Sequence, residues 1–331
     1  VNYASLSMIG QGYPTFGGIF GSASHASTVT ALTIRNCQNY GTITQTNATT
    51  DNGVGGILGS AYRVNTLIIE NCANYGRIQA VTNVGGILGR SNWGASNSST
   101  PIVITGCVNR AEIKVSGDNA GGIVGAHVNM QKGIFLTSCA NYGDVSAANN
   151  VGGLIGYNSS GNQYKDSNKD QPITLINCYV NSNVKASASN AGLAVGFHTV
   201  TDNTVALTLT NCVLVGKVDA ATGAGGILGC IGTTAAATEP PVTLTNVFVR
   251  ATVTVPADVK AATVVGITAT ETVTGVNLTV SNSGFAVTVV IGTAVADPAT
   301  YYDGAGVGTT VDLPAMGTND LTDQTVRNTL N

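Results

Sequence analysis

The chain has 331 residues, with 14 Lys and Arg against 17 Asp and Glu, for a net charge of −3. Charged residues make up only 9% and hydrophobic ones 43%, so there is ample apolar surface to bury and disorder is excluded. So few basic residues give no stripe for a nucleic acid, and no apolar run approaches the ~20 residues of a membrane-spanning helix.

The chain begins at Val1 without an initiator Met or the charged-then-apolar pattern of a secretion signal, and reads as a mature or excised segment. Residues 1–31 lack the pattern that follows and are expected to form an incomplete first coil or cap, closing on Gly17-Gly18. The unit then repeats. Residues 67–89, LIIENCANYGRIQAVTNVGGILG, show it best: an alternating apolar run, an Asn-Cys corner, a short second run and a Gly-Gly-Ile-Leu-Gly close. Its Cys recurs at Cys37, Cys72, Cys107, Cys139, Cys178 and Cys212, at spacings of 32 to 39 residues. The close recurs at Gly55-Gly56, Gly85-Gly86, Gly121-Gly122, Gly152-Gly153 and Gly225-Gly226, and in degraded form at Gly192-Leu193. A seventh unit keeps Asn246 but has Val247 in place of the Cys, and an eighth, from Val276, keeps only the alternation.

The apolar segments are short, rich in Ile, Val and Thr, and alternate with polar residues, which marks strands with one buried face. Periods of this length mark a solenoid. The fold predicted is all-β: a right-handed parallel β-helix of about seven to eight three-stranded coils. Stacking in register aligns equivalent residues. Asn36, Asn71, Asn177, Asn211 and Asn246 then form an asparagine ladder at a corner, and Asn39, Asn74, Asn109, Asn141 and Asn181 a second polar column. Residues 1–295 read as one repeat domain, regular over 32–230 and divergent and Thr/Val-rich over 231–295. Residues 296–331 read as a cap or linker, with a short capping helix expected at 319–328.

The recurring V-G-G-[IL]-[LIV]-G close with N-C-x-N-x-G-x-[IV] upstream resembles the GLUG-motif repeats of bacterial and protist surface proteins, over roughly residues 17–230. The resemblance implies a secreted or surface-displayed β-solenoid of the kind found in adhesins.

Candidate chemistry is sparse. The Cys column has no C-x2-C clustering for a metal and is expected to act as small buried hydrophobes, as Val247 in the same position suggests. A disulfide between adjacent coils is the alternative, and Cys230 lies off the column. Neither metal nor other cofactor is expected. No coil places two carboxylates in its strand segments, so catalysis is not expected either. Asp166, Asn168 and Asp170 alternate as in a calcium loop but lack its Gly and closing Glu. His127 and His198 share a repeat position two or more coils apart, which argues against a shared site. Asn47, Asn97 and Asn158 fit the N-x-[ST] pattern and are the candidate glycosylation acceptors of a glycoprotein. Trp93, Tyr157 and Tyr164 are the candidate loop contacts to a glycan.

The function expected is that of an extracellular structural or interaction protein. It would form or decorate a surface fibre, coat or adhesive stalk, by self-association into a filament or by contact with a host or cell-surface partner. Carbohydrate binding or processing through projecting loops is the alternative, and ice binding through stacked threonines a remote one.

Overall fold

The computed structural model describes residues 1–9, 15–46, 53–92, 101–128, 133–159, 172–200, 207–233, 241–257, 259, 261–262, 264–266, 277–292 and 294–295. Among these, every regular element is a β-strand. Each strand pairs in parallel with its equivalent one turn on. The line from Ile102 runs through Ile134, Ile173, Leu207 and Val242 to Leu278. Leu32 pairs with Leu67 and Ile68 with Val103, which extends the same face toward the N-terminus. The result is a parallel β-solenoid of about six regular turns, slightly fewer than expected from sequence, because the flanking segments repeat the unit only in part. The terminal exception to parallel pairing is a hairpin between Gly284–Ile291 and Ala294–Val295. The helix expected at 319–328 lies outside the described residues.

Each turn is divided more finely than three strands. After Leu58–Glu70, the second unit continues through Ala73–Asn74, Ile78–Ala80, Val84–Gly85 and Leu88–Asn92. Left-handed residues make the breaks. Asn71 has φ 52° and Asn83 φ 53°, and asparagine tolerates this region better than other residues with a Cβ. The Gly-Gly close supplies a further bend: a Cβ on Gly85 would stand 2.1 Å from the Leu88 carbonyl oxygen.

The alternation read from the sequence is the alternation of burial. Ile102 and Ile104 point inward while Val103 and Thr105 are half-exposed. Ile69, Ile78, Val84, Ile87 and Leu88 fill the interior of one turn, and their equivalents join them in one apolar cluster along the axis. Burying such side chains supplies roughly 1.5–3 kcal/mol each, which a chain with few charges depends on.

Candidate functional site

The Cys column is interior. Cys72, Cys107, Cys139, Cys178 and Cys212 are buried, Cys37 is half-buried, and all are free thiols. Each donates to carbonyl oxygens, as Cys139 Sγ does to Ile104 at 3.4 Å and Thr137 at 3.5 Å. Burial pushes the Cys139 thiol up to about 12 and holds Cys178 well above its ordinary value. Cys230 is off the column and also buried.

The corner asparagines share one conformation, and amide bonds join the last three of them, Asn177, Asn211 and Asn246. Asn36, Asn71, Asn177, Asn211 and Asn246 all have φ between 52° and 55°, with Gly106 and Ser138 at the intervening turns. Asn246 Nδ2 donates to Asn211 Oδ1 at 2.8 Å, and Asn211 Nδ2 to Asn177 Oδ1 at 3.1 Å. The second column is fully buried. Asn39 Nδ2 donates to Asn74 Oδ1 at 2.8 Å, Asn74 to Asn109 at 2.9 Å and Asn109 to Asn141 at 2.8 Å. Asn181 does not belong to it. Val180 pairs with Asn141 and points inward, so alternation turns Asn181 outward, and Asn141 Nδ2 donates instead to Ser182 Oγ at 3.0 Å. A third ladder escaped the sequence reading: Asn83, Asn119, Asn150 and Asn190, joined at 2.8 Å per step, each with positive φ. Its signal was an Asn two residues before Gly85, Gly121, Gly152 and Gly192, the first glycines of four successive closes.

A fourth column brings His127 and His198 together with two residues not assigned to it. Ser91, His127, Asn158 and His198 pair in sequence across four turns, all at most 1% exposed. Ser91 Oγ lies 2.8 Å from His127 Nδ1, and Asn158 Nδ2 lies 2.9 Å from His198 Nδ1. Burial pushes the His198 imidazole down to about 4, and the nearby His127 acts in the same direction. Asn158 is thereby removed as a glycosylation acceptor, since its amide nitrogen is bonded inside the core. Asn47 and Asn97 lie outside the described residues, as do Trp93 and Tyr164. Tyr157 is half-buried and stacks on Phe197 of the next turn, centroids 5.5 Å apart and planes 15° from parallel. It sits on a strand rather than in a free loop.

The surface has its own column beside the second ladder. Tyr3, Tyr40 and Tyr75 stack with centroids 5.1 and 4.5 Å apart and planes within 12°. Arg110 takes the next position, its guanidinium 4.5 Å from the centroid of Tyr142, and Tyr142 meets Tyr179 at 5.4 Å. Tyr179 also belongs to a small cluster outside the main core, with Ala140 and Val213 buried and Val108, Val215 and Phe248 packed against them. An apolar and aromatic stripe therefore runs along the rod on the outer side of the short strands that carry the inward asparagines. The N-Y-G tripeptides at 39–41, 74–76 and 141–143 were its signal.

Charges elsewhere pair across turns: Arg35 with Glu70 at 2.6 Å, Arg77 with Glu112 at 2.8 Å and Lys185 with Asp219 at 3.2 Å. Among the described residues, no group of three or more His, Cys, Asp or Glu is placed to hold a metal ion. The residues of the calcium-like stretch at 166–170 lie outside the described ones. Thr174, Thr208, Thr243 and Thr279 stack in register, but Phe135, Val103 and Ile68 continue the same file. No helix among the described residues is long and apolar enough to cross a membrane. Compared with known protein families, with curated proteins and with solved structures, the chain matches none.

Proposed function

We propose that the chain is a structural or interaction segment of an extracellular β-solenoid of the GLUG-repeat kind, which forms or decorates a surface fibre, coat or adhesive stalk. The observation that carries this reading is the exposed stripe of Tyr40, Tyr75, Arg110 and Tyr142, continuous with Tyr179 and Phe248. Tyr40, Tyr75 and Tyr142 remain 36–41% exposed, on a scaffold whose interior is occupied by apolar residues and amide ladders. Aromatic residues and arginine are the side chains that most often anchor protein contacts. Electron microscopy of the native material tests the reading. Filaments or coats, dispersed by Tyr75→Ala together with Tyr142→Ala, are expected; strictly isolated rods with an unchanged surface partner count against it.

Carbohydrate binding is the second reading, and the guanidinium of Arg110 beside Tyr142 is what favours it. A glycan array separates the two. Signal lost on Arg110→Ala but kept on Trp93→Ala places the glycan on the stripe, and the reverse pattern places it on the loops.

A further inference from the structure

The fourth column is apolar at both ends and polar in its middle. Ala23 pairs with Ala61, Ala61 with Ser91, and beyond His198 the next residue is Ile231. Ala23, Ala61 and Ile231 all belong to the main apolar cluster, so the polar residues between them occupy core positions. Ile231 demonstrates that an apolar side chain fits this file.

The imidazole of His198 is held at a disadvantage there. With the Asn158 amide donating to Nδ1, the neutral ring carries its proton on Nε2, and neither that nitrogen nor Asn158 Oδ1 has a hydrogen-bond partner among the described residues. Buried polar groups without partners destabilise the folded form. A second proton makes matters worse in a specific way. It falls on Nδ1 and sets an N–H donor against the Asn158 N–H. The contact survives only if the amide rotates to present Oδ1, which then leaves the amide nitrogen unpartnered.

Among the described residues no counter-charge is at hand. The strands packed against Val195–Val200 carry Tyr157, Cys230, Lys185 and Asp118 as their titratable groups. Lys185 and Asp118 are exposed, and the group whose charge reaches the ring is His127, itself a cation when protonated.

We propose that the Ser91–His127–Asn158–His198 column is an acid-sensitive latch, closed by the neutral imidazole of His198 and opened by its protonation, which releases the turns around Ile155–Ser159 and Val195–Val200. The direction follows from linkage. His198 binds its proton less readily folded than unfolded, so the unfolded form gains protons first. Stability conferred by the neutral ring is present above pH 6.5 and declines as pH falls from 6.5 to about 4. Between pH 7 and 4 the equilibrium constant for local closing falls by about 100-fold. An otherwise low-charge rod thereby acquires one place that responds to acid.

Hydrogen exchange of the full chain, followed by mass spectrometry at pH 7, 5.5 and 4 and corrected for intrinsic rates, tests the latch. Wild-type protein is expected to lose protection at 155–159 and 195–200 on acidification, while His198→Ile, which copies Ile231, keeps it. Equal acid-induced loss in wild type and His198→Ile overturns the proposal. Because the variant has to fold to be informative, the His198 ring is also titrated by NMR in the wild-type chain. Titration well below the ordinary histidine range supports the latch, and titration near 6.5 overturns it.

Discussion

Gly86 lies against the side chain of Asn109 in the next turn, so closely that a Cβ on the glycine would stand 2.5 Å from Asn109 Cγ. The same relation joins Gly18 to Asn39, Gly56 to Asn74 and Gly122 to Asn141, at 2.5, 2.5 and 2.3 Å. The second glycine of each close is thus the partner of the buried ladder as well as a bend. Where the column turns apolar, Gly153 meets Val180 Cγ1 instead, at 2.8 Å, and one turn later the glycine gives way to Leu193. Gly86→Ala is expected to lower stability by about 1–3 kcal/mol, the usual range for overpacking, as measured by urea unfolding. A neutral result would mean that both Asn109 and the Gly122 carbonyl oxygen, 2.3 Å from such a Cβ, move aside freely.

The ladder itself predicts a larger loss. Asn74→Ala removes the acceptor of Asn39 and the donor to Asn109 in a fully buried position. Cavity and lost hydrogen bonds together are expected to cost about 2–4 kcal/mol in the same measurement.

A stabilising change is available at the end of the third ladder. Asn190 Oδ1 is buried without a partner among the described residues, and the residue one turn on is Gly223, which precedes the Ala191–Ala224 pair and has φ 66°. Asparagine adopts that conformation, as Asn119, Asn150 and Asn190 do. Gly223→Asn adds a rung, and a gain of about 0.5–1.5 kcal/mol is expected from chemical unfolding.

The thiols are expected to be inert in the folded chain. A thiol-reactive reagent at pH 7 should label Cys37 slowly and leave the five buried column thiols and Cys230 unmodified until the chain is unfolded. Cys212 pairs with Val247 one turn on, so Cys139→Val should change stability by less than about 1.5 kcal/mol. Rapid native labelling of Cys139 would contradict the buried column.

The acid response has a magnitude for the whole fold. With His198 at about 4 folded and 6.5 unfolded, wild-type stability should fall by roughly 3 kcal/mol more than that of His198→Ile between pH 7 and 4. Thermal unfolding of both chains across that range measures the difference.

The repeat made the architecture readable because in-register stacking turns sequence period directly into columns. The Cys file, the Asn36-to-Asn246 corner and the first four members of the second ladder follow from that alone. Asn181 has the right spacing but stands one residue off the inward position, which alternation gives to Val180. The His column needed one more step. His127 and His198 share a repeat position, yet the residue that joins them is Asn158, whose neighbours also spell a glycosylation acceptor. Local pattern and column position competed for the same asparagine, and burial decided between them. The aromatic stripe depends on stacking distances between turns, which no single unit contains.

The amide ladders also have direction. In the second column each side chain donates toward the C-terminal turns, from Asn39 to Asn74 to Asn109 to Asn141. In the third, each donates toward the N-terminal turns, from Asn190 to Asn150 to Asn119 to Asn83. The corner ladder follows the third, from Asn246 to Asn211 to Asn177, so two files of aligned amides run one way through the rod and the fully buried file runs the other.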